Sequence, residues 1–380
     1  MRVLVEVSSE EIRLNEDSRD RGGRQESLDT LRGVAILMVI AFHVSIMFQP
    51  VAWLGSVAKW GNQGVQLFFL ISAITMCFMW HQREGEPDAR MRFYIRRFFR
   101  IAPLFWAAIC FYLWWSAFKA GPEAQAVAWD KVVLSALFLH GFSPGAINAI
   151  VPGGWSIAVE MSFYAVFPLL IMRRRTPEQT LRLAFYAYLV LGVVATALIE
   201  RRFDPDPSFM YYCLLTQFPI FPVGMFVYAV AMRDEPVDWR QVALIAAAWL
   251  AVAFAGKYLL GMNTRPFFWL QIALFAGVVG FVIRRGISVP GLSLAGTLSY
   301  SMYLFHFAII DVLAMTAPPE WRVGTWACVN YFLLVLVATM AAAKMSGVTL
   351  ERWSSNAARA LIERTSRPKA NAAEQRLSSD

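Results

Sequence analysis

The sequence predicts an all-α protein embedded in a membrane, a bundle of about ten transmembrane helices. Three observations predict it. Of 380 residues, 58% are hydrophobic and 16% charged, with a mean hydropathy of +0.48, whereas a soluble domain averages about 25% charged residues. The apolar residues run in stretches of about 17–25, the length that crosses a bilayer as a helix. The 35 Lys and Arg outnumber the 27 Asp and Glu, for a net charge of +8. They fall in short clusters between the apolar runs, which is how membrane topology is written and not how a nucleic-acid surface is built.

The spans are expected at 31–48, 64–80, 101–118, 155–172, 181–199, 209–232, 241–260, 267–283, 292–316 and 325–345. Residues 1–26 are polar and mixed in charge, which predicts a cytoplasmic tail and a first helix that is retained, not a cleaved signal segment. Asp29 or Thr30 is expected to cap that helix. An apolar piece at 132–142 is too short to cross, and predicts a short re-entrant or surface helix within a long outer loop, 119–154. Ten spans with both termini cytoplasmic leave 27 of the basic residues inside and 8 outside. Counting 132–142 as a span would put Arg173, Arg174 and Arg175 outside, against the positive-inside rule. The membrane domain is expected over 27–345. Residues 346–380 form a basic cytoplasmic tail, partly an amphipathic helix on the inner membrane face and then disordered. Cys77, Cys110, Cys213 and Cys328 lie singly in apolar runs, without the spacing of a disulfide framework or a metal site.

Ionisable groups inside spans are costly and mark functional positions. Arg32 and His43 share one face of the first span, since eleven residues make about three turns and roughly 16 Å. Arg32 falls at the cytoplasmic interface and His43 beyond mid-membrane. Arg97 and Arg100, three residues apart, are expected on one face at the inner mouth, where planar guanidinium groups suit phosphate. Pro152-Gly153-Gly154-Trp155-Ser156 leads into a helix that carries Glu160 about 7–8 Å below the outer surface. At that depth a carboxylate can orient the His43 imidazole if the two helices are neighbours. Ser156 is not in a nucleophile-elbow pattern. Tyr303 and His306 share a face near mid-membrane, where His306 either lines the same cavity or packs. His140, in the outer segment, and His81, at an inner helix end, are read as interfacial.

Together these elements resemble the acyltransferase-3 family of integral-membrane O-acyltransferases, which modify bacterial surface polysaccharides. Arg32-Gly33 followed by His43 matches the family's opening pattern. Gly64-Val65-Gln66-Leu67-Phe68-Phe69-Leu70-Ile71-Ser72-Ala73 is similar to its second signature, with Ala73 in place of Gly and Gln66 in place of a frequent acidic residue. Arg97 and Arg100 match its Arg-x-x-Arg, and Trp155, Ser156 and Glu160 match its Trp-Ser-x-x-x-Glu. Tyr300, Tyr303, Leu304 and His306 match its Tyr-x-x-Tyr-Leu-x-His.

The resemblance implies a multi-pass protein of the bacterial inner membrane with no bound cofactor or metal. It implies an acyl-CoA co-substrate, acetyl-CoA first, drawn from the cytoplasm, and as acceptor a sugar hydroxyl of an exopolysaccharide, lipopolysaccharide O-antigen or similar glycan or glycolipid. Arg32, Arg97 and Arg100 would then hold the donor and His43 would carry the chemistry, either as general base or through an acyl-histidine. Glu160 would orient or charge-pair with His43, or bind the sugar. Trp155, Ser156, Tyr303 and His306 would line the cavity. Some members carry a fused extracellular hydrolase-like domain, and at 380 residues this chain is expected to be a stand-alone transferase. The competing reading is a transporter of glycan or of a proton-coupled solute, with buried His and Glu as a relay. The absence of inverted repeats and the basic inner mouth weigh against it.

Overall fold

The computed structural model describes residues 2–48, 52–121, 126–203 and 206–377, and those residues are helical with no strand among them. Nine helices among the described residues are long and apolar enough to cross a membrane: Gly22–Met47, Trp53–His81, Ala89–Ala120, Pro177–Phe203, Leu214–Ala231, Trp239–Tyr258, Pro266–Arg284, Ser299–Thr316 and Thr325–Thr365. The tenth expected span is the shorter apolar helix Trp155–Ile171. Large apolar side chains such as Trp129, Trp326 and Leu259 stand about four-fifths exposed, as surfaces that face lipid do.

The chain divides into two compact units. The first comprises Met1–Thr75, Arg175–Ala187 and Pro219–Met340, and the second Met76–Arg174, Tyr188–Phe218 and Ala341–Asp380.

In the first unit the N-terminal helix is central. Leu28, Leu31, Ala35, Val39 and Ile36, Ile40, Val44 are buried along it at three- and four-residue spacing, the stripe expected of a helix packed on several sides. It begins well before the predicted cap. The helix runs from Arg2 to Met47, and its burial is already under way at Ser27 and Leu28. Asp29 turns to Arg32 instead, and the Thr30 hydroxyl accepts from the Val289 amide at 3.0 Å. The short helix Pro290–Thr297 crosses it backbone to backbone. A Cβ on Gly33 would lie 2.0 Å from the Leu292 carbonyl oxygen, and one on Gly296 would lie 1.7 Å from that of Asp29. The close crossing sets where the next helix, Ser299–Thr316, begins. Ala73, the departure in the second signature, faces Gly224, on which a Cβ would come within 2.7 Å of it.

In the second unit the helix Ala89–Ala120 carries the basic run, followed by a loop with the helix Trp129–Ala136 and a single turn His140–Phe142. His140 is buried, not interfacial. Its Nε2 donates to the Gly154 carbonyl at 2.9 Å, and its ring stacks on Phe105. The outer loop is thereby pinned to the turn that starts the Trp155 helix, where Gly153 takes a φ of +73°, a conformation that favours glycine. A wide helical turn, Tyr188–Ala195, follows in this unit. The tail is helical from Arg352 to Leu377; 378–380 lie outside the described residues.

Candidate active site

The first unit brings two histidines together. His43, on the N-terminal helix, and His306, on Ser299–Thr316, approach with His306 Nε2 3.3 Å from His43 Nδ1. Each Nδ1 also faces a carbonyl of its own helix, Val39 at 2.9 Å for His43 and Tyr303 at 2.7 Å for His306. A carbonyl only accepts, so each Nδ1 carries the proton in the neutral ring. His306 Nε2 is then a bare acceptor toward the His43 Nδ1 hydrogen, which is shared between it and Val39. The nitrogen of His43 left with a lone pair is Nε2. Phe42 and Phe307 flank the ring edge-on, with centroids 5.0 and 4.4 Å away, and leave it one orientation. His306 is fully buried and His43 half-buried. The two rings are thus in direct contact, with centroids 5.1 Å apart.

Arg32 lies on the same helix as His43. Its guanidinium is held by Asp29 at 2.8 Å and by the Thr75 hydroxyl at 2.7 Å, and Thr75 in turn donates to Ile71 O. Tyr303 is buried with its ring 5.6 Å from that of His306.

The second unit joins two expected site residues through one that sequence reasoning missed. Glu160 accepts from the Tyr164 hydroxyl at 2.5 Å, one helical turn on. The Tyr164 ring lies 5.5 Å from the Arg97 guanidinium, which also contacts Phe93 at 5.8 Å and Met79 Sδ at 3.0 Å. Arg97 is buried, as is Phe93 four residues earlier on the same helix. Arg100 is exposed and lines an open cleft with Arg83, Arg96 and Arg359. The expected Arg97/Arg100 pair is therefore divided: one guanidinium points into aromatic rings, the other into a cleft.

Trp155 is buried against Tyr212, with ring centroids 4.8 Å apart. The Ser156 hydroxyl donates to Gly153 O at 3.0 Å. That is the geometry of a helix start.

Chemically, the first unit offers an oriented imidazole with a free lone pair and an acceptor behind it. The second offers a carboxylate held by a phenol and an arginine-lined cleft. Among the described residues no group of three or more His, Cys, Asp or Glu is placed to hold a metal ion.

The family model described as an acyltransferase domain matches residues 25–344. The chain is 25% identical over 336 residues to the peptidoglycan O-acetyltransferase OatA of Listeria monocytogenes, a match covering 78% of this chain and 51% of that protein. It is 28% identical over 301 residues to the exopolysaccharide production protein ExoZ of Rhizobium meliloti, covering 74% and 85%. The O-acetyltransferase OatA of Staphylococcus aureus is 24% identical over 317 residues, covering 74% and 50%. The chain thus spans about half the length of the O-acetyltransferases it matches. No solved structure matches it.

Proposed function

The chain belongs to the acyltransferase family whose domain model covers residues 25–344, and from that premise we propose that it moves an acyl group, acetyl first, from acyl-CoA to a sugar hydroxyl of an exopolysaccharide, O-antigen or similar glycan. The donor comes from the cytoplasm, across the inner membrane of a bacterium, with both termini of the chain on the cytoplasmic side. The relatives' names support a polysaccharide acceptor.

The observation that carries the reading is the tautomer of His43. With Nδ1–H committed to Val39 O and His306 Nε2, Nε2 is the atom that takes a proton. The acceptor hydroxyl loses its proton to Nε2 as its oxygen attacks the thioester carbonyl. The C–S bond then breaks, and the imidazolium returns the proton to the departing thiolate, giving free CoA and the ester. While His43 is charged, His306 Nε2 accepts from it a stronger, charge-assisted hydrogen bond. His306 is thus a positioning residue, held in turn by Tyr303 O. Glu160, tethered by Tyr164, binds the acceptor sugar. Arg100 meets donor phosphates. Each within its own unit, Arg97 seats Tyr164 and Arg32 ties its helix to Thr75.

The test is CoA release from acetyl-CoA by the purified chain with a glycan acceptor. Acceptor-dependent release supports the reading. A protein that binds the glycan and releases no CoA with any acyl-CoA would turn the reading toward transport.

A further inference from the structure

The second unit holds a cleft of about 240 Å³ whose lining includes Arg100 but extends well beyond it. Arg83, Arg96 and Arg100 come to it from the basic run, and Arg359 comes from the tail helix Arg352–Leu377. Four guanidinium groups in one small cleft repel one another, so their pairing decides what the cleft is for. Glu86 takes Arg96 at 2.6 Å, Arg92 at 3.5 Å and Arg83 at 3.9 Å. Glu351, also at the cleft, is bonded to the Ser346 hydroxyl at 3.1 Å. Among the described residues neither Arg100 nor Arg359 has an ion-pair partner. Burial and the charge of Arg96 both push the Arg83 guanidinium's pKa down, against the pull of Glu86, which is the electrostatic mark of uncompensated positive charge. Arginine nevertheless stays protonated at neutral pH.

The tail that supplies Arg359 is fastened here by a specific contact. Pro103 sits inside the helix Ala89–Ala120, and a proline has no N–H to give the carbonyl four residues earlier. That carbonyl is Phe99 O, and the buried Ser354 hydroxyl of the tail helix donates to it. The sequence therefore opens a vacancy in one helix and fills it from the other, and the same tail helix brings Arg359 to the cleft that Arg100 lines. The remaining walls are apolar, with Phe99, Leu104 and Ile362 among them. Drug-sized ligands take pockets of about 300–1,000 Å³, so a cleft of 240 Å³ suits a phosphate-bearing moiety and not a whole coenzyme.

We propose that this cleft is a phosphate-binding site completed by the tail helix, in which Arg100 and Arg359 clamp a phosphate ester whose organic part lies on the apolar wall. Two ligands carry that chemistry. One is the nucleotide half of an acyl-CoA, which rests on the function proposed above. The other is the headgroup of an anionic phospholipid, which does not.

The test uses the full chain in two preparations. In phosphatidylcholine nanodiscs, adenosine 3′,5′-bisphosphate binding is measured by calorimetry. In detergent, retained phosphatidylglycerol is counted by native mass spectrometry. Arg100→Gln and Arg359→Gln, both at exposed positions, are each expected to weaken one of these interactions at least about tenfold, as loss of a charge-assisted bond does. Arg359→Lys is expected to restore part of it, and Arg240→Gln, in the other unit, to change nothing. Weakening in the calorimetric arm assigns the nucleotide, and weakening in the lipid arm assigns the headgroup. Unchanged binding in both arms overturns the site. If Arg359→Gln leaves both arms unchanged while the chain still releases CoA, the cleft proposal fails and the transferase reading stands. If the wild type never releases CoA yet loses lipid in Arg359→Gln, the transferase reading fails and the cleft stands.

Discussion

A histidine whose Nδ1 hydrogen is committed to carbonyls has one nitrogen left for chemistry, and at position 43 the backbone makes that choice. Val39 O lies one turn back on the same helix, so the tautomer follows from helical geometry alone. The approach of His306 does not, because 263 positions separate the two rings. Sequence reasoning placed both in mid-membrane and left the role of His306 open between cavity and packing. Replacing His306 by Phe keeps an apolar ring but removes the acceptor behind His43. We expect kcat to fall about 10- to 100-fold with both KM values nearly unchanged, and His306→Gln, whose amide oxygen still accepts, to recover part of the rate. A purely structural His306 would show the same loss in both variants, alongside a lower Tm. Tyr164 was not legible as a site residue, since a tyrosine on an apolar helix is ordinary. Its function is visible only with Glu160 and Arg97 around it. Tyr164→Phe keeps the ring under the guanidinium and drops the hydrogen bond to Glu160. It should raise the acceptor KM several-fold with little change in Tm, whereas Tyr164→Ala should also lower Tm, because a buried cation–π contact is worth about 2 kcal/mol.

Among elements, the spans were legible because each needs only length and hydropathy, though 209–232 breaks at Cys213 and 292–316 divides into Pro290–Thr297 and Ser299–Thr316. What failed was punctuation. Asp29 and Thr30 read as a helix cap, yet their side chains serve Arg32 and Val289, contacts that come from elsewhere in the fold. The outer loop looked like an interfacial appendage, and His140 makes it part of the packed unit. Burial holds the His140 pKa below its ordinary 6.5, with the bond to Gly154 O opposing. The folded loop thus keeps a neutral ring while the unfolded chain takes up a proton near 6.5. Stability is full above that pH and declines as pH falls from 6.5 toward the folded value. Limited proteolysis of the 126–154 loop should accelerate between pH 7 and pH 5, and His140→Gln should flatten that dependence. An unflattened profile would move the titration elsewhere. The tail is a second case. Ser354→Ala strands the Phe99 carbonyl left open by Pro103, at a cost of about 1–3 kcal/mol. It should release the tail to protease without lowering expression.

For the molecule as a whole, the partition of 27 basic residues inside and 8 outside predicts both termini cytoplasmic. In a background freed of the native cysteines, an impermeant thiol reagent should label Gly145→Cys in intact cells and spare Arg175→Cys. Labelling at 175 would invert the topology. The family was legible through five short motifs, since each marks a place where membrane burial makes an ionisable or small residue expensive to keep without a use. The four-arginine cleft was not legible, because Arg359 lies 259 positions beyond Arg100 and is brought to it by tertiary packing of the tail helix, the bond from Ser354 to Phe99 O included.

The central claim is that His43 Nε2 takes the proton. His43→Gln retains a polar side chain of similar size that can still donate toward Val39 O, but it offers no basic nitrogen. General base catalysis is worth about 10²–10⁴-fold, so turnover of the Gln variant at saturating acyl-CoA and acceptor should fall by at least that lower factor while membrane insertion and Tm are kept. Turnover above about a tenth of the wild-type rate would contradict the account and make His43 a structural residue.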